Sequence, residues 1–197
     1  MWWFWMVACS PTQRDTSALA QTCSERYAGP PPASGEAIQD LVATAIVKDA
    51  PELQGLAIQY AEISGASVFF QAGLDVTTLE APPLERTYTI QYNPALFQDP
   101  PSRPAVGAIL IHELRHILDY TEMSSEELSA FVAWYLTADD ISTYERQTDE
   151  YVLERGCGPG LSAYREWLYA TIPAADLEEK KKNYYTPEEI AAWMAAN

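Results

Sequence analysis

Between about Pro104 and Tyr120 the chain carries apolar side chains almost all the way round a helix: Val106, Ile109, Leu110, Ile111, Leu114, Ile117 and Leu118. A helix that is apolar on every side belongs in a core, with other elements packed around it. Yet one turn of it holds His112-Glu-Leu-Arg-His116, and these are the 2 histidines of the whole chain. Buried polar groups without partners are costly, so the fold has to supply partners for that turn.

At about 3.6 residues per turn, positions four apart share a helix face, so His112 and His116 present their imidazoles to one point. Neutral imidazole is a favoured Zn²⁺ ligand, and a carboxylate at Glu113 then lies beside a water on the metal, where it can take the proton. Two ligands plus a general base is the pattern of zinc peptidases. The plainer reading is a histidine pair on an ordinary helix, with Glu113 a solvated helix former.

The 197 residues and 48% hydrophobic composition suffice for one well-formed domain. A net charge of -16, from 12 basic against 28 acidic residues, argues against nucleic acid as a partner, because phosphate binding needs clustered Lys and Arg. The one basic run, Lys180 to Lys182, follows Glu178-Glu179 and reads as a solvated helix face. No stretch of about 20 apolar residues is present to span a membrane.

Residues 1-9 are intensely apolar and stop at a small residue and a cysteine. Met6-Val-Ala-Cys9 is similar to the end of a bacterial lipoprotein signal, in which the cysteine becomes acylated. The segment lacks a basic start and is shorter than the usual apolar run of about 7 to 15 residues, as a start codon assigned too far downstream would produce. Lipidation at Cys9 implies an anchor to a membrane surface in the bacterial cell envelope, facing the periplasm, or a secreted protein. The alternative is an N-terminal strand or a sticky tail packed on the domain. Residues 10-35, rich in Ser, Thr, Gln, Pro and Gly, read as a flexible tether, so the folded domain is expected to occupy 36-197. With Cys9 set aside, Cys23 and Cys157 form an even pair, either one disulfide of an oxidising compartment or two buried thiols.

Helical spacing is expected from about Glu36 to Asp49, and short strands over Ala57 to Glu62 and Ser67 to Leu74. The alternation in Thr87-Tyr-Thr-Ile-Gln-Tyr92 predicts a half-buried strand just upstream of the motif helix. After that helix, Ser124-Ser-Glu-Glu127 predicts a capping box and a helix to about Leu136. The stretch from Asp140 to Gly156 reads as a further helix stopped by Gly156, with Glu145 and Asp149 four apart on one face. A catalytic zinc usually takes three protein ligands, and Glu145 is the candidate third. Asp149, one turn on, could hold the other ring N–H of a zinc-binding histidine. Against this, Ser142-Thr-Tyr-Glu145 is itself a capping-box pattern, which would occupy Glu145 with the backbone. The tail is expected to form a helix around Ser162 to Thr171, a break at Pro173 and a last helix opened by Thr186-Pro187.

His112-Glu-Leu-Arg-His116 followed by Glu145-Arg-Gln-Thr-Asp149 resembles the HExxH plus ExxxD arrangement of the gluzincin, or thermolysin-like, metallopeptidases. That resemblance implies an α+β fold: a mainly helical single domain with a small sheet, zincin-like, its motif helix packed behind an edge strand. It implies zinc on His112, His116 and Glu145, Glu113 as the residue that activates water, and Asp149 orienting a histidine. It also implies that the strand from Thr87 to Tyr92 lines the cleft and pairs with a peptide or protein substrate. With no histidine remaining, a transition-state donor after the second motif would be Tyr151, Tyr164 or Arg155, or there is none, and no residue is assigned that role. The function expected is hydrolysis of peptide bonds; the alternative is a non-catalytic envelope protein that binds zinc or a partner.

Overall fold

The computed structural model describes residues 22–197. Its axis is α3 (Arg103–Thr121), opened by Ser102, whose side chain accepts from the Ala105 amide, with proline in the first turn, as suits a helix start. Every residue from Ala105 to Leu114 is buried, as are His116 and Ile117. Around it pack α1 (Cys23–Arg26), α2 (Gly35–Asp49), β2 (Phe70–Leu74), α5 (Ser142–Glu154) and α6 (Gly158–Thr171). Two of these approaches require glycine. A Cβ on Gly107 would lie 2.5 Å from Tyr27 Cγ, and one on Gly160 would lie 2.6 Å from the Pro104 carbonyl oxygen.

The sheet has three strands in the order β1-β3-β2, with β1 (Ala57–Glu62) parallel and β2 antiparallel to β3 (Thr87–Tyr92). β3 alternates as expected, burying Tyr88, Ile90 and Tyr92. Its place is not the one expected, because it is the central strand and both its edges are already paired. It therefore has no backbone groups left for a substrate strand. The strand that lies against the motif helix from an edge of the sheet is β2, which begins later than expected, at Phe70.

The fold is mainly helical, an α+β domain completed by α4 (Ser125–Thr137), α7 (Ala174–Asn183) and α8 (Pro187–Ala196). The Ser124–Glu127 capping box forms, and Gly156 takes the left-handed φ of +69° after α5. The domain starts earlier than Glu36. Thr22 and Glu25 make a capping box, Cys23 is bonded to Cys157, and Tyr27, 1% exposed, donates its hydroxyl to Asp49 Oδ2 at 2.6 Å. Four residues are too few for a periodicity to reveal them, and what holds them is a covalent bond and one buried ring. Cys9, the lipoprotein-like segment and residues 10–21 of the tether lie outside the described residues. Among the described residues no helix is long and apolar enough to cross a membrane. The break at Pro173 leads into α7, of which the sequence marks only the face around Lys180 to Lys182 as helical, because it has no apolar stripe to mark its extent.

Candidate metal centre

α3 delivers both imidazoles to one point: His112 Nε2 and His116 Nε2 are 3.2 Å apart. α5 packs on α3 and brings Glu145 Oε2 to 3.1 Å from His112 Nε2 and 3.5 Å from His116 Nε2. All three residues are buried, Glu145 completely. Among the described residues, His112, His116 and Glu145 are the one group of this kind able to hold a metal ion.

The other polar atoms of these three side chains are all committed elsewhere. His112 Nδ1 is 2.9 Å from Asp149 Oδ1, and that carboxylate also receives Arg165 Nη2 at 2.8 Å and the Tyr185 amide at 3.0 Å. Burial works against a charged Asp149, but the Arg165 guanidinium and the His112 bond outweigh it and hold the carboxyl below its usual range. An ionised Asp149 can only accept, so Nδ1 of His112 donates and carries the proton of the neutral ring. His116 Nδ1 lies 2.8 Å from the Tyr144 hydroxyl, which donates to Asp119 Oδ2 at 3.1 Å. The Tyr144 oxygen is then free to accept from Nδ1 of His116. Asp119 is in turn paired with Arg115 at 2.6 Å. Tyr135 donates its hydroxyl to Glu145 Oε1 at 2.5 Å, leaving Oε2 for the point where the imidazoles meet.

Three lone pairs, two from nitrogen and one from a carboxylate, thus converge in a buried space, and that arrangement calls for a cation. A proton answers in part. Burial lowers the proton affinity of His112, but its bonds to Asp149 and Glu145 outweigh this and push its pKa up to about 9. Burial likewise opposes ionisation of Glu145, and the two histidines outweigh it and hold that carboxyl well below its usual range. A proton satisfies one nitrogen, whereas a divalent ion satisfies all three atoms at once.

Glu113 is beside this group and not in it. Its Oε2 accepts the Ala72 amide of β2 at 2.7 Å, and it lines, with His112, Tyr164, Arg165, Lys180 and Tyr184, a cavity of about 40 Å³. The Tyr184 ring lies 5.8 Å from that of His112, centre to centre.

The expected capping role of Glu145 is not what forms. Ile141 is the N-cap and makes no side-chain bond, Ser142 is the first helical residue, and its amide is satisfied by Asp140 Oδ1 at 2.9 Å. Of the candidate donors, Tyr164 lines the cavity, while Tyr151 and Arg155 do not. Both of the latter bond the Asp49 carbonyl, Tyr151 through its hydroxyl at 3.2 Å and Arg155 through Nε at 2.7 Å, and the guanidinium stacks on the Tyr151 ring. Tyr135, Tyr144, Arg165 and Tyr184 were not singled out from the sequence, and no spacing marks them; Lys180 reads from the sequence as part of a solvated helix face, but it is half-buried and lines the cavity. No protein-family model matches the chain, nor does any curated protein or solved structure, so the likeness to HExxH plus ExxxD proteins is carried by residues 112–116 and 145–149 alone.

Proposed function

We propose that the chain is a zinc-dependent peptidase of zincin-like build. The observation that carries this is the convergence of His112 Nε2, His116 Nε2 and Glu145 Oε2 while every other polar atom of those side chains is taken. Their separations of 3.1, 3.2 and 3.5 Å suit zinc, since ligand atoms about 2.0–2.1 Å from a tetrahedral ion lie about 3.3 Å from one another. Three protein ligands leave a fourth position, as in catalytic sites. Zinc held here would polarise a scissile carbonyl and make water a better nucleophile near neutral pH. Glu113, steadied by the Ala72 amide, takes the proton of the attacking water and passes it to the leaving amine. Asp149 and Tyr144 keep the histidine rings turned inwards. The Cys23–Cys157 disulfide supports a place in an oxidising compartment such as the periplasm or the exterior.

One observation favours a metal-binding protein without catalysis: Tyr184 and Lys180 stand over the centre, and His112 is only 2% exposed. Zinc content together with cleavage of an unfolded protein and a pool of short peptides separates the two. The expected result is one zinc in both the wild type and Glu113→Gln, with cleavage reduced in the variant by at least about 100-fold. Zinc in both and cleavage by neither would leave the non-catalytic reading standing.

A further inference from the structure

In a chain with 12 basic and 28 acidic residues, a cation near the interior should find a carboxylate. Lys180 does not. Half-buried on α7, its ammonium makes no hydrogen bond or ion pair among the described residues, and the group it meets is the face of Tyr184, 5.5 Å away. Lys180 loses proton affinity through burial first and then through the charge of Arg165, a cation, ahead of any carboxylate. Arg165 lines the same small cavity as Lys180, Glu113 and His112; it gives Nη2 to Asp149, and its buried Nε has no partner. The carboxylates around this wall are bonded elsewhere, Asp149 to Arg165 and His112, Glu113 to the Ala72 amide and Glu145 to Tyr135 and His112, so none of them is bonded to the Lys180 ammonium.

Lys180 also lines a second, larger space of about 430 Å³, together with Tyr135, Asp139, Glu179, Lys182 and Tyr184. Lys182 is committed there to the Asp139 carbonyl at 3.0 Å, and Asp139 and Glu179 are exposed. The volume lies in the range of small-ligand sites, about 300–1,000 Å³, and is far too small for a folded protein. Its inner wall reaches the metal ligands, because Tyr135 holds Glu145 and Tyr184 faces His112.

We infer that Lys180, backed by Arg165, is the binding point for a carboxylate of a short peptide, so that the bond presented to the metal centre lies near that carboxylate. This rests on the peptidase reading for its turnover but not for its binding. A charge-assisted hydrogen bond of this kind carries roughly a 10- to 100-fold effect on affinity.

The test titrates three probes into the zinc-loaded full chain by calorimetry: Ala-Ala-Ala, its C-terminal amide, and Ala-Ala-Asp amide, whose carboxylate is on a side chain. At least one carboxylate peptide should bind roughly 10- to 100-fold more tightly than Ala-Ala-Ala amide, and which one does so identifies the source of the carboxylate. Lys180→Gln should abolish the difference and Lys180→Arg should restore most of it, with zinc content and melting temperature checked in both. Equal binding of all three probes by the wild type, no binding at millimolar concentration, or a preference that survives Lys180→Gln overturns the inference. Selective binding without cleavage would keep the carboxylate site and sink the peptidase reading, whereas cleavage with no carboxylate preference would do the reverse.

Discussion

At the residue scale, the partners of the two imidazoles differ in kind, and this gives them different consequences. Asp149 is shared between His112 and the buried Arg165, so Asp149→Asn keeps one acceptor oxygen but removes the charge and leaves a guanidinium in the interior without its counter-ion. Breaking a buried pair from one side costs about 3–5 kcal/mol, so this variant should be destabilised even in metal-free protein. Tyr144 supports His116 through a hydroxyl alone, and Asp119 keeps Arg115 when that hydroxyl goes. Tyr144→Phe should therefore weaken zinc binding about 10- to 100-fold while the metal-free melting temperature changes little. Zinc titration and thermal melts of the two variants check this, and an Asp149→Asn protein as stable without metal as the wild type would contradict the role given to the ion pair. The candidate ligands and their partner Asp149 were legible because spacing on a helix decides which side chains share a face, and both His112/His116 and Glu145/Asp149 obey it. The choice between ligand and cap at Glu145 was not legible, since it turned on whether the helix starts at Ser142 or one residue later, and Asp140 takes the Ser142 amide that the Glu145 carboxylate would have accepted in a capping box.

At the scale of elements, α3 was readable to within a residue or so because nothing but a core can surround an apolar helix. The strand order was not, since alternation in Thr87 to Tyr92 reports which face is buried and says nothing of which neighbours pair on either side. The extent of α7 beyond its Lys180–Lys182 face was not readable because it is a polar helix held by tertiary contacts, among them the bond from Ser67 to Asp176 and that from Lys182 to the Asp139 carbonyl. The closeness of α3 to α6 carries its own prediction. A Cβ at Gly160 would press on the Pro104 carbonyl, which is backbone and cannot turn aside, whereas one at Gly73 would meet the Thr89 hydroxyl, which can. Gly160→Ala should cost about 1–3 kcal/mol, or roughly 2–4 °C of melting temperature for each kcal/mol, and Gly73→Ala clearly less. Thermal melts that rank the two variants the other way would mean that the α3–α6 contact is slacker than its geometry requires.

On the scale of the whole molecule, two closures of different chemistry tie distant parts of the chain. The disulfide joins residues 134 apart and pins α1 to the turn between α5 and α6; a loop of that length corresponds to about 5 kcal/mol in the chain-entropy account. A metal held by His112, His116 and Glu145 would join α3 to α5 and add stability by binding only the folded chain, about 4 kcal/mol when free metal is a thousand times its Kd. Both closures converge on α5, whose first turns carry Glu145 and whose end runs through Gly156 into Cys157. Removing metal with a chelator should then lower the melting temperature of the oxidised wild type by roughly 10 °C, given about 2–4 °C per kcal/mol for a chain of this size. Glu145→Gln has one oxygen where Tyr135 and the ion use two, so at best it turns its NH2 to the Tyr135 oxygen and offers the ion a neutral oxygen, and its melting temperature should respond far less to chelation, with the disulfide intact in both proteins. A chelator shift as large in Glu145→Gln as in the wild type would remove Glu145 from the ligand set and, with it, the link by which the metal would fasten α5 to α3.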